Sequence, residues 1–600
     1  MFSVNSLQGD AVIDNTASLS KETPRSKTRR LWDFLAAGLL FFGTGAFVLW
    51  QNSQIAVLWD LSYLLDTSWR IALGQTPYRD FPLVHPPLTF VIQALIMRVF
   101  GRVYLWPVLY AAIVGGLGTV ITWRIALRLL AQRISYALPV SLLLAAPLMF
   151  LGVYGVYPHP IYDCDCGFSI LIALFLLQRL TLDPANLAWG IHSWARAAVA
   201  GFAVVLPVFF KQNIGLPFLL SVVAGTVLLL CMGLFARRRG KPSTSNPAVM
   251  LQLLAAIVVS LLASILALHL TVGLDNYLHW TVRFAAQRRL PGFADMLSVY
   301  NQSSFVWMLP ALAAGLILLH LRFAQRLWLR WLAFCLVSAP FAASLVFLLL
   351  NDDLDERADN LLALWPLLLL ASAFLALVEL RKGITLNRLL PFFILAAIHG
   401  TFLSQQLWGS TYAIWPLLFI LVAQILVALP PAFPKLTLSF AAVISATFLA
   451  CGGLYAIGHE RLNYIQIPDG PVYHSTLPAL RGMADRGAYL PDFEELVRFA
   501  DKEIPPQDGI LLLPGEEPFF YATGRTPQFP VQIFDNTTDP YTPEQLLEEV
   551  RKRNIRWVIV KTRLQSNEDP LPEKERSMEL IGSEFARYTR LGGYDVYRRR

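Results

Sequence analysis

Charge is what this 600-residue chain has least of: Asp, Glu, Lys and Arg make up 15% of it, against 56% hydrophobic residues and a mean hydropathy of +0.51. An ordinary soluble globule carries about 25% charged residues, so that class is excluded. Cysteine is scarce too. Cys164, Cys166, Cys231, Cys335 and Cys451 are scattered, three of them inside apolar runs, which excludes a disulfide framework and a zinc-ribbon spacing. The polar carboxy-terminal stretch lacks a glycine-rich phosphate loop and a nucleophile elbow. The formal net charge of +8 would suggest nucleic acid in a soluble chain; here the basic residues gather in short loops between apolar runs and read as topology signals, with no nucleic-acid partner.

What is abundant is apolar sequence of membrane-crossing length. Such runs recur near 31–50, 103–123, 134–152, 167–181, 196–213, 214–235, 249–272, 303–320, 331–350, 360–379, 389–404, 409–429 and 437–457, about thirteen helices of a polytopic α-helical membrane protein. The first follows a polar segment, residues 1–30, without a small-residue cleavage pattern, and reads as a retained span. A cytoplasmic amino terminus puts "WRIALRLLAQR" (Trp123–Arg133), "RRRGK" (Arg237–Lys241), "RFAQRLWLR" (Arg322–Arg330) and "RKGITLNR" (Arg381–Arg388) on the inner side, as the positive-inside bias requires. The external side then receives the loops 51–102, 152–166, 273–302, 351–360 and 404–409, with everything after the last span. "PPLTFVIQALIMRVFG" (Pro86–Gly101) is too short to span and predicts an interfacial helix.

The chain therefore divides into the polar tail 1–30, a transmembrane domain 31–457 and an external domain 458–600 of α/β type. In the last, "DFEELVRFADKEI" and "TPEQLLEEVRKRN", with Thr542 as N-cap, predict helices; "GILLLP", "IRWVIVKT" and "YDVYRR" predict strands. It reads as a recognition or structural cap.

Polar residues that hydropathy does not explain mark the external loops. Lys211 in "FFKQNIGLP" interrupts an apolar hairpin, where a lysine at membrane depth costs on the order of 3 kcal/mol unless it snorkels or is paired. Arg357 lies in "DDLDERADN", and His279, Arg283, Arg288 and Arg289 form a basic external patch. "YGVYPHPIYDCDCGF" holds Asp163 and Asp165: oxygen ligands of the kind magnesium or manganese takes, or helix caps. Cys164 and Cys166 read as free thiols. Asp66 reads as part of a solvated helix face, and Trp59, Trp69, Tyr78 and Tyr154 as an aromatic belt or sugar-stacking platforms.

The first external loop carries "D-x-x-Y-x5-W-x4-G-x2-PYRDF-x3-HPPL", from Asp60 through Tyr63, Trp69, Gly74 and Tyr78-Arg79-Asp80 to His85-Pro86-Pro87-Leu88. This motif, and the whole layout, resembles GT-C superfamily glycosyltransferases of the protein O-mannosyltransferase and aminoarabinose transferase type. "FKQNIGLP" (Phe210–Pro217), "ERADN" (Glu356–Asn360) and "LPGEEPFFYATGRTP" (Leu513–Pro527) look like segments of bacterial members. The resemblance implies a bacterial inner-membrane enzyme whose donor is a sugar on undecaprenyl or dolichyl phosphate and whose acceptor is an external lipid, glycan or protein, with inversion. It implies that Asp60 is the catalytic carboxylate, with Asp163 or Asp165 as a second acidic position for a divalent cation or the acceptor. His85, Lys211, Arg357, Tyr78, Arg79 and Asp80 become candidates for binding donor phosphate and sugar. The chain departs from aminoarabinose transferases at His85, where those enzymes carry the lysine associated with the donor phosphate. The competing reading is a transporter or flippase of a lipid-linked intermediate; against it, the carboxylates fall in loops rather than in broken helices at mid-membrane.

Overall fold

The computed structural model describes residues 24–182, 191–240, 246–289, 292–320, 326–403, 413–429, 434–458, 462 and 464–600; the side chains of some helix-end residues, Arg289 and 354–363 among them, are outside the description. It forms two units, Met1–Leu39 and Leu40–Arg600. The first holds the start of helix α1 (Pro24–Asn52), whose Leu31, Trp32, Phe34, Leu35 and Leu39 are exposed, as on a face turned to lipid.

In the second unit, α2 (Leu58–Ala72) and α3 (Leu88–Phe100) form the first loop. They are followed by α4 (Leu105–Ala131), α5 (Ala137–Ala145), α6 (Leu148–Leu151), α7 (Tyr162–Leu182), α8 (Ile191–Val205), α9 (Pro207–Phe210), α10 (Gln212–Arg238) and α11 (Pro247–Thr271). Further helices run Phe305–His320, Leu327–Leu350, Leu354–Leu380, Leu386–Thr401, Trp415–Ala428 and Pro434–Gly458. Among the described residues seven helices are long and apolar enough to cross a membrane, and a bent pair makes an eighth. This is an integral membrane protein.

Where the residues are described, the predicted runs fall largely on helix, 196–213 being divided among α8, α9 and the start of α10. Residues 134–152 form two pieces, α5 and α6, because Pro147 cannot continue the hydrogen-bond ladder of α5. The predicted loop 351–360 is helical from Leu354. The loop 152–166 ends early, because α7 already begins at Tyr162. The loop 404–409 lies outside the described residues.

The predicted interfacial helix is α3, which buries Phe90, Gln93, Ala94 and Met97 and exposes Val91, Leu95 and Val99 at four-residue spacing. The carboxy-terminal domain contains a four-stranded sheet, β3 (Gly509–Leu513), β4 (Ile555–Lys561), β6 (Tyr594–Arg599) and β5 (Phe585–Leu591) in spatial order, plus a small ribbon of β1 (Val472–His474) and β2 (Ala484–Arg486). The predicted helices are Tyr489–Glu503 and Pro543–Lys552, the second closed by Thr542 and Gln545 in a reciprocal capping box.

The described loops come together in two sets. At one end Asp60 of the first loop meets Tyr157 of the second and Tyr464 after the last span, while Tyr78 packs on Tyr277 and Arg288 bonds Asn536 and Asp539 carbonyls of the carboxy-terminal domain. At the other, Arg133 pairs at 3.2 Å with Glu379, in the last turn of the helix Leu354–Leu380 just before the loop 381–388.

Candidate active site

Helix α2 places its residues between the bundle and the carboxy-terminal domain. Leu58, Leu61 and Leu65 pack with apolar residues of that domain, and Leu64 joins the core of the bundle. Asp60, on the first turn, is partly buried, and its Oδ2 accepts hydrogen bonds from the Tyr157 hydroxyl at 3.0 Å and the Tyr464 hydroxyl at 2.8 Å. Burial raises its pKa above the ordinary 3.8; the two tyrosines pull it back, and the negative charge of nearby Asp163 pushes it further up.

Asp163 is buried and forms an ion pair with Lys211, itself 6% exposed. Lys211 sits in extended backbone between α9 and α10, a break tight enough that a side chain at Gly215 would run into the Pro207 backbone. The lysine is therefore a buried partner in an ion pair rather than a snorkelling surface residue. Its ammonium also lies 5.0 Å from the centre of the Tyr162 ring. His85 stacks on the same ring at 3.9 Å with 21° between planes, and its Nδ1 pairs with the Tyr63 hydroxyl at 3.0 Å. Tyr78 adopts a left-handed backbone (φ 66°), unusual for an aromatic residue, and its hydroxyl donates to the His85 carbonyl at 2.7 Å. A cluster thus joins Asp163, Lys211, Tyr162 and His85, with Asp60 near enough to feel the Asp163 charge.

Three candidates lie elsewhere. Arg79 and Asp80 pair with each other at 3.0 Å on an exposed turn, Asp80 also accepting from the Thr76 amide at 2.6 Å. Asp165 is caged by the hydroxyls of Thr89 (2.7 Å), Tyr110 (2.7 Å) and Tyr154 (2.6 Å). Because α7 begins at Tyr162, Asp163 and Asp165 stand two residues apart on a helix, where side chains do not share a face. With one carboxylate engaged by a lysine and the other by three hydroxyls, these residues do not fit a shared divalent cation. Among the described residues no three His, Cys, Asp or Glu side chains gather as a ligand set. The side chain of Arg357 lies outside the described residues.

Asp66 is a correction: it is 1% exposed, not solvated, and accepts the Tyr521 amide at 2.6 Å and the Phe520 amide at 3.2 Å. Its neighbours complete a seam between the two segments singled out by sequence. Ser62 donates to the carbonyls of Gly515 (2.7 Å) and Glu517 (2.9 Å), and Trp69 to that of Arg525 (3.1 Å). Gln565 bonds both the Leu58 amide and the Ala56 carbonyl at 2.9 Å. Sequence reasoning missed Tyr157, Tyr162 and Tyr464 as site residues. The first two stand in the quoted second-loop segment and are legible as neighbours of Asp163; Tyr464 is 404 residues from Asp60 and carries no local signal.

No protein-family model matches the sequence, and no curated protein matches it. The chain resembles solved GT-C glycosyltransferases. It is similar to ArnT from Cupriavidus metallidurans bound to undecaprenyl phosphate, at 13% identity over 95% of this chain and 98% of that one, with a TM-score of 0.45. It is similar to the archaeal oligosaccharyltransferase AglB from Archaeoglobus fulgidus, in complex with an inhibitory peptide and a dolichol-phosphate, at 12% identity over 95% and 74% of the two chains, TM-score 0.48. The arabinofuranosyltransferase AftD from Mycobacteria matches at 12% identity over 95% of this chain and 40% of its own, TM-score 0.44. The mannosyltransferase branch gains no specific support from these likenesses.

Proposed function

We propose that the chain is an integral-membrane glycosyltransferase. It moves a sugar from a polyprenyl phosphate to the hydroxyl of an extracytoplasmic lipid, glycan or protein, in the bacterial inner membrane, with the carboxy-terminal domain outside. The observation that carries this reading is the juxtaposition of a tyrosine-held Asp60 with the buried Asp163–Lys211 pair, where the loops meet the bundle. A lipid-linked sugar phosphate is amphipathic, with a tail that belongs in hydrocarbon and a head that belongs in water. A site formed by a surface helix laid on a bundle suits both parts.

Asp60 accepts the proton of the acceptor hydroxyl as its oxygen bonds the anomeric carbon from one face. The bond from that carbon to the phosphate oxygen breaks on the other face, its electron pair leaves with the phosphate, and the anomeric centre inverts. A phosphate is a good leaving group, so the demand falls on the base and on positive charge for the released anion. Lys211 supplies the charge, its three N–H donors serving both Asp163 and phosphate. Tyr157 and Tyr464 aim the Asp60 carboxylate. His85 and Tyr162 form a flat wall against which a sugar can lie.

Purified protein in detergent, given a radiolabelled polyprenyl-phosphate sugar and envelope acceptors, tests the reading. Wild type releases polyprenyl phosphate; Asp60→Asn stays folded and loses at least about a hundredfold in rate, the usual worth of a positioned base. The base must be ionised, so the acid limb of the rate profile falls at a pH above the ordinary carboxylate value, activity being lost as pH drops through it. Near-normal turnover by Asp60→Asn would sink the assignment.

A further inference from the structure

A polar pocket lies at the other end of the bundle. Helix α4 begins against the carboxy-terminal domain, where the Tyr104 amide bonds the Ala479 carbonyl at 2.9 Å, and its last turn reaches this pocket. At 1.5 Å per residue the two ends are about 40 Å apart. The pocket, about 210 Å³, is bounded by the end of α4 and by the helices Leu354–Leu380, Leu386–Thr401 and Trp415–Ala428.

Its wall has two characters. Leu129, Leu375 and Ile425 form an apolar side, as a groove opening toward acyl chains requires. The other side is polar and cationic: Gln132, Arg133, Glu379 and Arg388. Glu379 takes both Arg133 at 3.2 Å and Lys382 at 2.5 Å, so two cations share one carboxylate, while Arg388 donates to the carbonyls of Lys382 (2.9 Å) and Gly383 (2.7 Å) beside them. Thr385, Asn387 and Arg388 set the amino-terminal turn of the 16-residue helix Leu386–Thr401 in the wall, where Thr385 caps the Arg388 amide and the positive end of the helix dipole faces the pocket.

Ser372 is the independent observation. It lines the pocket and is 2% exposed, and its hydroxyl has no hydrogen-bond partner among the described residues, although a helical serine can usually bond a carbonyl one turn back. A buried hydroxyl left unpaired costs free energy that a ligand oxygen would recover. Apolar wall, cationic rim, helix amino terminus and unpaired hydroxyl together fit an amphiphile with an anionic phosphate head. We infer that this pocket binds the phosphate headgroup of an anionic membrane phospholipid, on the side where the arginine-rich loops lie. It stands apart from the glycosyl-transfer reading and uses none of its residues.

The full-length protein in neutral detergent, melted with increasing dihexanoyl phosphatidylglycerol, tests it. Dihexanoyl phosphatidylcholine and inorganic phosphate are the comparators. A saturable rise in Tm with phosphatidylglycerol, larger than with either comparator, is expected. Arg133→Gln removes an exposed ion pair and Ser372→Ala a hydroxyl without a partner, so both fold. Each should weaken the lipid response about tenfold, the worth of one good contact to a charged group. A response unchanged in both variants overturns the site; an equal response to inorganic phosphate overturns the lipid as its occupant.

Discussion

At the scale of single residues, the Asp163–Lys211 pair decides how the site is probed. Removing one member of a buried ion pair leaves the other charge without compensation, at a cost of about 3–5 kcal/mol, while removing both often costs less. Lys211→Met alone should therefore lower Tm, and the double variant Lys211→Met with Asp163→Asn should recover much of it. Neither should bind donor well if Lys211 holds the phosphate. Thermal melting alongside donor-binding titration separates the two effects: a double variant that regains stability and binds donor like wild type would return Lys211 to a structural role. Tyr162 has a similar double character, for its ring touches both the lysine and His85.

At the scale of elements, α2 is the joint of the molecule. One face reaches the bundle and the Asp60 cluster, and the other is stitched to the segment Leu513–Pro527 through Ser62, Asp66 and Trp69. Asp66 is pushed up to about 7, burial outweighing the two amides and Arg70 that hold it down. The folded state then keeps a proton that the unfolded chain has already released, so this residue's contribution to stability falls as pH rises from about 4 to 7. Asp66→Asn should flatten the decline of Tm across that window, measured by tryptophan fluorescence; identical slopes for variant and wild type would contradict the shift. Asp66→Ala, which leaves two amides without an acceptor, should cost about 1–3 kcal/mol at any pH.

At the scale of the whole molecule, two sets of loops gather at two ends, and the proposed orientation assigns each a side. Lys574 in the carboxy-terminal domain and Lys382 in the arginine-rich loop both have exposed side chains. In a background with Cys231 and Cys335 replaced by alanine, an impermeant maleimide should label Lys574→Cys in intact spheroplasts and Lys382→Cys only after permeabilisation. The reverse pattern would invert the orientation and move the proposed chemistry to the cytoplasm. The packing also changes the standing of the carboxy-terminal domain. Gln565 grips the start of α2, and Tyr464, on the approach to the domain, touches Asp60, so docking of the domain and the shape of the candidate site are linked.

By itself the sequence determined the membrane character, the helical runs, the short apolar helix α3 and most elements of the carboxy-terminal domain. Each depends on composition or on a local period: apolar length for spans, the 3.6-residue repeat for helices, cap residues for their ends. Tertiary structure decided which polar residues meet. That Asp163 faces Lys211 while Asp165 is caged by hydroxyls follows from where α7 starts, a shift of a few residues that rotates each carboxylate to a different face. That Asp66 is buried rather than solvated, and that Tyr464 reaches Asp60, depends on contacts between segments more than 400 residues apart, for which no local pattern in the chain carries a signal.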